Sequence, residues 1–254
     1  MNFCTALSVF LLGLIAIVSA GTLRSENVTK GILDHRIKEL IELFKSLMPC
    51  GIPNLGIPVL APLKLDHISF NFEQSGLLSL KAELNNLLVE DLNKFDTVNV
   101  DLKILQMQLD FSLFFNAIKV TGEYKAQGSA IGLIPFNRGG KVAFNLNGLT
   151  LDGSIKVKLD GDKILLKELK QRPTVMSVNS KFEGAFLLPM NTFIFNKIVE
   201  TALPKFLRDN EELVSSFLED MIKPQMNKIL QDYTLKNLTD LLGNSTSSAL
   251  PGSC

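Results

Sequence analysis

The chain has no tryptophan and only 2 tyrosines and 2 histidines, set against 17 phenylalanines in 254 residues. Its aromatic surface is therefore almost free of hydrogen-bonding handles, since Phe buries area without asking for a polar partner. The same scarcity removes most catalytic chemistry. His35 and His67 have no partner at metal-ligand spacing, and there is no Cys-x-x-Cys or His-Glu-x-x-His. A Gly-x-Ser-x-Gly elbow is missing too, so the usual hydrolase nucleophile is not there. Gly128-Ser129-Ala130 and Asn137-Arg138-Gly139-Gly140 read as hairpin segments and do not match a phosphate loop. The carboxylates are scattered, and Glu211-Glu212 and Glu219-Asp220 suit helix solvation better than acid–base work. Charge of one sign is also lacking: Lys plus Arg and Asp plus Glu number 26 each, which leaves no global field to attract nucleic acid. The expectation is a protein that is not an enzyme, holds no metal or cofactor and binds no nucleic acid.

The one long apolar run lies at the start. Residues 6–18 are broken only by Ser8 and Gly13, and Val18-Ser19-Ala20 places small residues where a signal peptidase cuts. Residues 1–20 read as a signal peptide, with an uncleaved anchor as the alternative. Three Asn-x-Ser/Thr sequons, at Asn27, Asn237 and Asn244, agree with a secreted, extracellular glycoprotein. Cys4 leaves with the signal. Cys50 and Cys254 remain as a pair that an oxidising compartment can join, the alternative being free or intermolecular thiols. Residues 21–242 read as a single domain, followed by a polar tail at 243–254.

Within that domain the period of the apolar residues changes twice. Leu33, Ile37, Leu40, Ile41, Phe44, Leu47 and Met48 form a helical stripe that Pro49 and Gly51 end. Pro53, Pro58 and Pro62 then make an extended arm. From Ile68 to about residue 186 the period is two, predicting a meander of roughly eight long antiparallel strands. The phase slips between Ile104 and Leu105, as at a bulge or sharp bend, and Gly139-Gly140, Gly148 and Asp160-Gly161-Asp162 read as hairpins. Helical spacing returns with Ile194, Ile198, Ala202 and Phe206, with Pro204 as a kink. A second helix opens at Glu211-Glu212 and is apolar over much of its circumference at 215–222, predicting burial on more than one side. The fold class that covers one apolar sheet face with these helices is α+β: a long curved antiparallel sheet wrapped around a long C-terminal helix. A sheet with helices on one face is an alternative. A closed barrel fits poorly, because it gives the last helix no place.

The run from Gly51-Ile52-Pro53-Asn54-Leu55-Gly56-Ile57-Pro58 through Asp101-Leu102 resembles the insect haemolymph juvenile-hormone-binding and Takeout family. Gly122-Glu123-Tyr124-Lys125-Ala126-Gln127-Gly128, Leu133-Ile134-Pro135-Phe136 and residues 139–144 are similar to that family's central hairpin. Residues 217–230 resemble its long last helix. The resemblance covers most of residues 32–233 and implies the tubular lipid-binding fold. It also implies a monomeric extracellular carrier of terpenoid or fatty-acid-like molecules, juvenile hormone among them. The chain departs from the family in having no cysteine between Gly21 and Pro49, where relatives close a short loop.

Two functions follow from the same alternation. One is a carrier with an apolar tunnel; the other is an extracellular module with a solid core that contacts a protein, receptor or membrane surface. Candidate ligand-lining residues are Phe111, Phe144, Phe182 and Phe186 from the sheet and Phe217, Leu218 and Met221 from the last helix, because Phe and Met make adaptable apolar walls. Ordinary core packing is the competing role for each.

Overall fold

A computed structural model describes residues 26–51, 58–74, 78–130, 134–161, 163–184 and 189–230. The signal segment, the tail, Phe186, Asn237, Asn244 and Cys254 lie outside these residues, as do the side chains of Asn27 and Met221. The chain begins with α1 (Glu26–Leu47). Six strands follow: β1 (Leu63–Gln74), β2 (Leu78–Glu90), β3 (Phe95–Lys103), β4 (Gln108–Ala130), β5 (Ile134–Asp160) and β6 (Lys163–Phe182). Two helices, α2 (Pro189–Asp209) and α3 (Glu211–Leu230), close the described fold. The end of the proline arm is tied to α1, because the amides of Leu60 and Ala61 both donate to the carbonyl of Met48.

All pairing is antiparallel, in the order β1-β2-β4-β5-β6. β4 gives its whole length to β5 on one edge. Its other edge is shared: β3 pairs with the first part of β4 and β2 with the last part, so β2 and β3 lie end to end. The break between them is a tight turn in which Asp91 has φ 67° and Lys94 donates its amide to the Asp91 carbonyl.

Six strands replace the roughly eight that the pattern suggests, because two glycine signals fall inside β5 and the break around Pro173 falls inside β6, where Pro173 stays in register opposite Leu151. At Gly140 an added Cβ would sit 2.0 Å from the Glu183 carbonyl oxygen, so this glycine permits a close backbone approach rather than a reversal. Gly148 has φ +61° in mid-strand. There the buried side of the strand changes phase, from Val142 and Leu146 to Leu149 and Leu151. The neighbouring strands change at the same level, β4 between Phe115 and Ile118 and β6 between Val175 and Val178. Only Asp160-Gly161-Asp162 marks a reversal, between β5 and β6. The slip between Ile104 and Leu105 is a sharp bend, a full reversal: a 3-10 turn at Ile104–Gln106 with Met107 at φ 50° joins β3 to β4. Neither Gly nor Pro occurs there to announce it.

This line of phase changes divides the sheet. Its lower half, with α1 and the C-terminal half of α3, holds a continuous core that includes Ile37, Ile41, Leu109, Phe111, Leu113, Ile155, Ile164, Leu169, Ile222 and Met226. The upper half, formed by β1, β2 and the adjoining parts of β4, β5 and β6, stands beside α2.

The open edge of β6 is covered by the two last helices. Asn227 on α3 accepts the Leu166 amide at 2.7 Å and donates to the Leu166 carbonyl at 3.4 Å, taking the place of a strand neighbour. Ser215 accepts the Gln171 amide at 3.0 Å. On α2, Glu200 accepts the Ser180 amide and Asn196 the Phe182 amide, both at 2.9 Å. An ion pair from Arg172 to Glu211 joins the same edge to the acidic first turn of α3. Sheet edges left open template aggregation, and their backbone groups need partners once water is excluded.

Asn227→Ala should therefore cost about 1–3 kcal/mol, since it leaves both backbone groups of Leu166 unsatisfied. Chemical denaturation should show a lower midpoint, while Asn145→Ala, exposed on the opposite face of β5, should stay within about 0.5 kcal/mol of the parent.

Candidate ligand-binding groove

Above the dividing line the inner face of the sheet is largely apolar, with Ile118, Tyr124, Val142 and Val178 buried and Phe144, Leu146 and Phe182 half-buried. Along β4 it carries Ile118, Val120, Gly122, Tyr124 and Ala126; along β5, Arg138, Gly140, Val142, Phe144 and Leu146; along β6, Val178, Ser180 and Phe182. Phe182 sits at the centre of an aromatic cluster, with its ring edge-on to Tyr124 at 5.1 Å, Phe144 at 5.3 Å and Phe195 of α2 at 5.2 Å. Edge-to-face packing at these separations fixes the rings in place. Tyr124 donates its hydroxyl to the Glu183 carbonyl at 3.2 Å, so its one polar atom has a partner. Burial raises the Tyr124 phenol above its ordinary value, and the nearby charge of Arg138 opposes that rise.

The orientation of α2 follows from its polar side chains. Asn196 and Glu200 point at the β6 edge, and Ser180 adds a hydroxyl bond to the Asn196 carbonyl at 3.2 Å. At about 100° per residue, Ile198, Ala202 and Phe206 share the side of the helix on which Phe195 meets Phe182. This apolar stripe stays uncovered: Ile198 is 58 % exposed and Phe206 37 %. Leu213 and Phe217 on α3, at 56 % and 47 %, extend the row of exposed apolar residues. An uncovered apolar stripe beside an apolar sheet face forms a surface suited to a long hydrophobic guest.

The structure separates the sequence candidates. Phe144 and Phe182 stand in the aromatic cluster of the groove. Phe111 lies in the lower core, paired across the sheet with Gly153 and 3 % exposed. Leu218 packs against the same core. The expectation that 215–222 are buried on more than one side is not met, because Ser216, Phe217 and Asp220 are exposed while Ile222 is buried. The hydrogen bond from Gln171 turns the Ser215 face toward β6 and Phe217 away from it. Sequence reasoning passes over Tyr124, Phe195 and Ile198, although a stripe at 194, 198, 202 and 206 is plain. Cys50 is disulfide-bonded, and the other two cysteines of the chain lie outside the described residues.

The other groups examined for chemistry have ordinary surface roles. His35 pairs with Glu39 one helical turn away, and His67 shares a 2.8 Å hydrogen bond with Asn85. Among the described residues no three metal-ligating side chains converge, and no helix is long and apolar enough to cross a membrane. A shallow hollow on the opposite face is bordered by the charged residues Glu123, Lys141, Lys181 and Glu183 together with Gly122, Val142 and Ala143.

A long, phase-switching antiparallel sheet with helices along its edge is the tubular lipid-binding kind of α+β fold. The chain belongs to the haemolymph juvenile hormone binding protein family, whose sequence profile matches residues 12–240. It is similar in fold to Takeout 1 of Epiphyas postvittana, with a TM-score of 0.61, 14 % identity, and 82 % of this chain and 94 % of that one covered. A likeness to lipopolysaccharide binding protein is weaker, at a TM-score of 0.37 and 17 % identity over 78 % of this chain and 39 % of the other, and carries no weight here. No curated protein matches significantly.

Two outcomes check this division. Phe111→Ala should cost about 3–5 kcal/mol, whereas Phe144→Ala, half-buried in the groove, should cost less than half as much in thermal or chemical denaturation. The second concerns Glu200, whose carboxyl is held below its ordinary value by Lys197 first and the Ser180 amide second. A depressed folded value means that its contribution is complete above the unfolded pKa and lost as pH falls through the folded one. Hydrogen exchange at the Ser180 amide should keep its protection down to about pH 4.5 and lose it as the pH falls further. The Leu166 amide, held by the neutral Asn227, should change less; equal loss at both would contradict the assignment.

Proposed function

We propose that this protein is a secreted carrier that shelters one long lipophilic molecule, terpenoid or fatty-acid-like, in the groove between the upper half of the sheet and α2. The observation that supports this reading is the uncovered stripe of Ile198, Ala202 and Phe206 facing the side of Phe144 and Phe182. Each methylene moved from water into such a groove contributes about 0.8 kcal/mol, less the cost of ordering the chain. Phe144 and Phe182 then serve as wall, with Phe186 and Met221 assigned to the same role from sequence alone and the exposed Phe217 serving at its outer end. Phe111 and Leu218 serve as packing beneath it. Juvenile hormone, which gives the family its name, falls within this ligand class.

The same reading makes residues 1–20 a cleaved signal peptide, 21–242 the binding domain and 243–254 a tail. It takes the protein as a monomer glycosylated among Asn27, Asn237 and Asn244, with Cys50 joined to Cys254. Contact with a membrane or receptor would be transient, at loading or delivery. A solid-core interaction module remains the rival. It matches the lower half of the sheet, and it predicts no uptake of a hydrophobic probe.

Ile198→Glu tests the carrier reading, because Ile198 is exposed and the substitution should shift stability by only about 0.5 kcal/mol. Delipidated parent protein should take up a fluorescent long-chain fatty acid, and the variant should bind it at least about tenfold more weakly. Equal uptake by the two, or none by the parent, would contradict the assignment.

A further inference from the structure

Arg138 is the one charged residue among the described positions on the inner face of the upper sheet. It lies on β5 directly opposite Ala126, and Gly140, two residues on, lies opposite Tyr124. Side chains two apart along a strand share a face, so the guanidinium stands beside Tyr124 on the side of the aromatic cluster. Its effect on the Tyr124 phenol agrees with that placement. The side chain is exposed, and its hydrogen bond goes to the carbonyl of Asn137 next to it, at 2.9 Å. It makes no ion pair with any carboxylate among the described residues. On the opposite face Lys181 pairs with Glu183 at 3.0 Å, and on α2 Lys197 pairs with Glu200 at 2.6 Å.

A lone guanidinium at the rim of an otherwise apolar wall has a definite chemical complement. It offers a planar fork of donors, always charged, that matches the two oxygens of one carboxylate. The rest of the face asks for hydrocarbon. We propose that Arg138 holds the carboxylate of a long-chain acid whose hydrocarbon lies along Tyr124, Phe144 and Phe182. This inference rests on the carrier reading and narrows it: the ligand is an acid, not its neutral ester or alcohol. The two oxygens of the head accept from the guanidinium at the mouth, where water still reaches them. The chain runs inward to the floor formed by Val120 and Leu146, which pack on the lower core.

The test compares cis-parinaric acid with its methyl ester by fluorescence on delipidated protein at neutral pH, in the parent and in Arg138→Gln and Arg138→Lys. The parent should prefer the acid by about five- to tenfold, as expected for a charge-assisted contact that is partly exposed. Arg138→Gln should lose that preference and bind the ester as the parent does, while Arg138→Lys should retain part of it. A large excess of butyrate should fail to displace the acid. Equal affinity of the parent for acid and ester overturns the proposal and leaves the carrier reading intact. An equal loss of both probes in Arg138→Gln also overturns it, because the residue then serves the wall and not the head. Displacement by butyrate does the same, showing a site for any small anion. If neither probe binds the parent, the carrier reading fails and the proposal with it.

Discussion

Four backbone amides of β6, those of Leu166, Gln171, Ser180 and Phe182, point away from the sheet and are received by side chains on two helices. Without those partners a 20-residue strand would present an open edge, a template for other chains. The partners are Asn227, Ser215, Glu200 and Asn196, all polar and all on the helix face turned to the edge. A helix that gives its polar face to the sheet has to put its apolar stripe somewhere else. In α2 that stripe is Ile198, Ala202 and Phe206, and it lies on the side where Phe195 meets the inner sheet face. The groove is thus a consequence of edge satisfaction, and the two features stand or fall together.

The sheet itself makes the groove one-sided. Strands of 23 and 27 residues reach about 75 and 90 Å when extended, far beyond the radius of gyration of about 17 Å expected for a domain of this length. Such strands cannot keep one side inward along a single flat path. The phase changes at Phe115–Ile118, Gly148 and Val175–Val178 re-aim the three longest strands together. Below that level α1 and α3 fill the inner face, and the result is solid core. Above it the described helix partner is α2, set on the edge and not over the face. In the proposed reading, packing and binding therefore occupy different halves of one sheet.

Much of this was legible in the residues. The alternation from Ile68 onward, the stripe of α1 and the acidic opening of α3 at Glu211 and Glu212 all name their elements correctly. The strand count was not legible, because Gly139, Gly140 and Gly148 carry the chemistry of turns while serving close approach and a phase change. The reversal at Met107, a non-glycine residue with positive φ, was marked only by the phase slip at Ile104 and Leu105, which does not tell a bend from a full reversal. The direction of α2 was hidden for a different reason. Periodicity finds an apolar stripe and assumes that it is buried, but hydrogen bonds to an open edge outweigh that rule here. Arg138 sits in a segment that looks like a turn; the alternation of 138, 140, 142 and 144 was the signal that could have placed it on the inner face.

The central claim is that hydrocarbon occupies the upper groove, and photo-crosslinking addresses it most directly. A long-chain fatty acid with a mid-chain diazirine, loaded into delipidated protein, irradiated and mapped by peptide sequencing, should mark residues 142–146, 178–182 and 195–206. Labels confined to the lower core around Phe111 and Ile155, or labelling no greater than that of an unrelated protein, would contradict it.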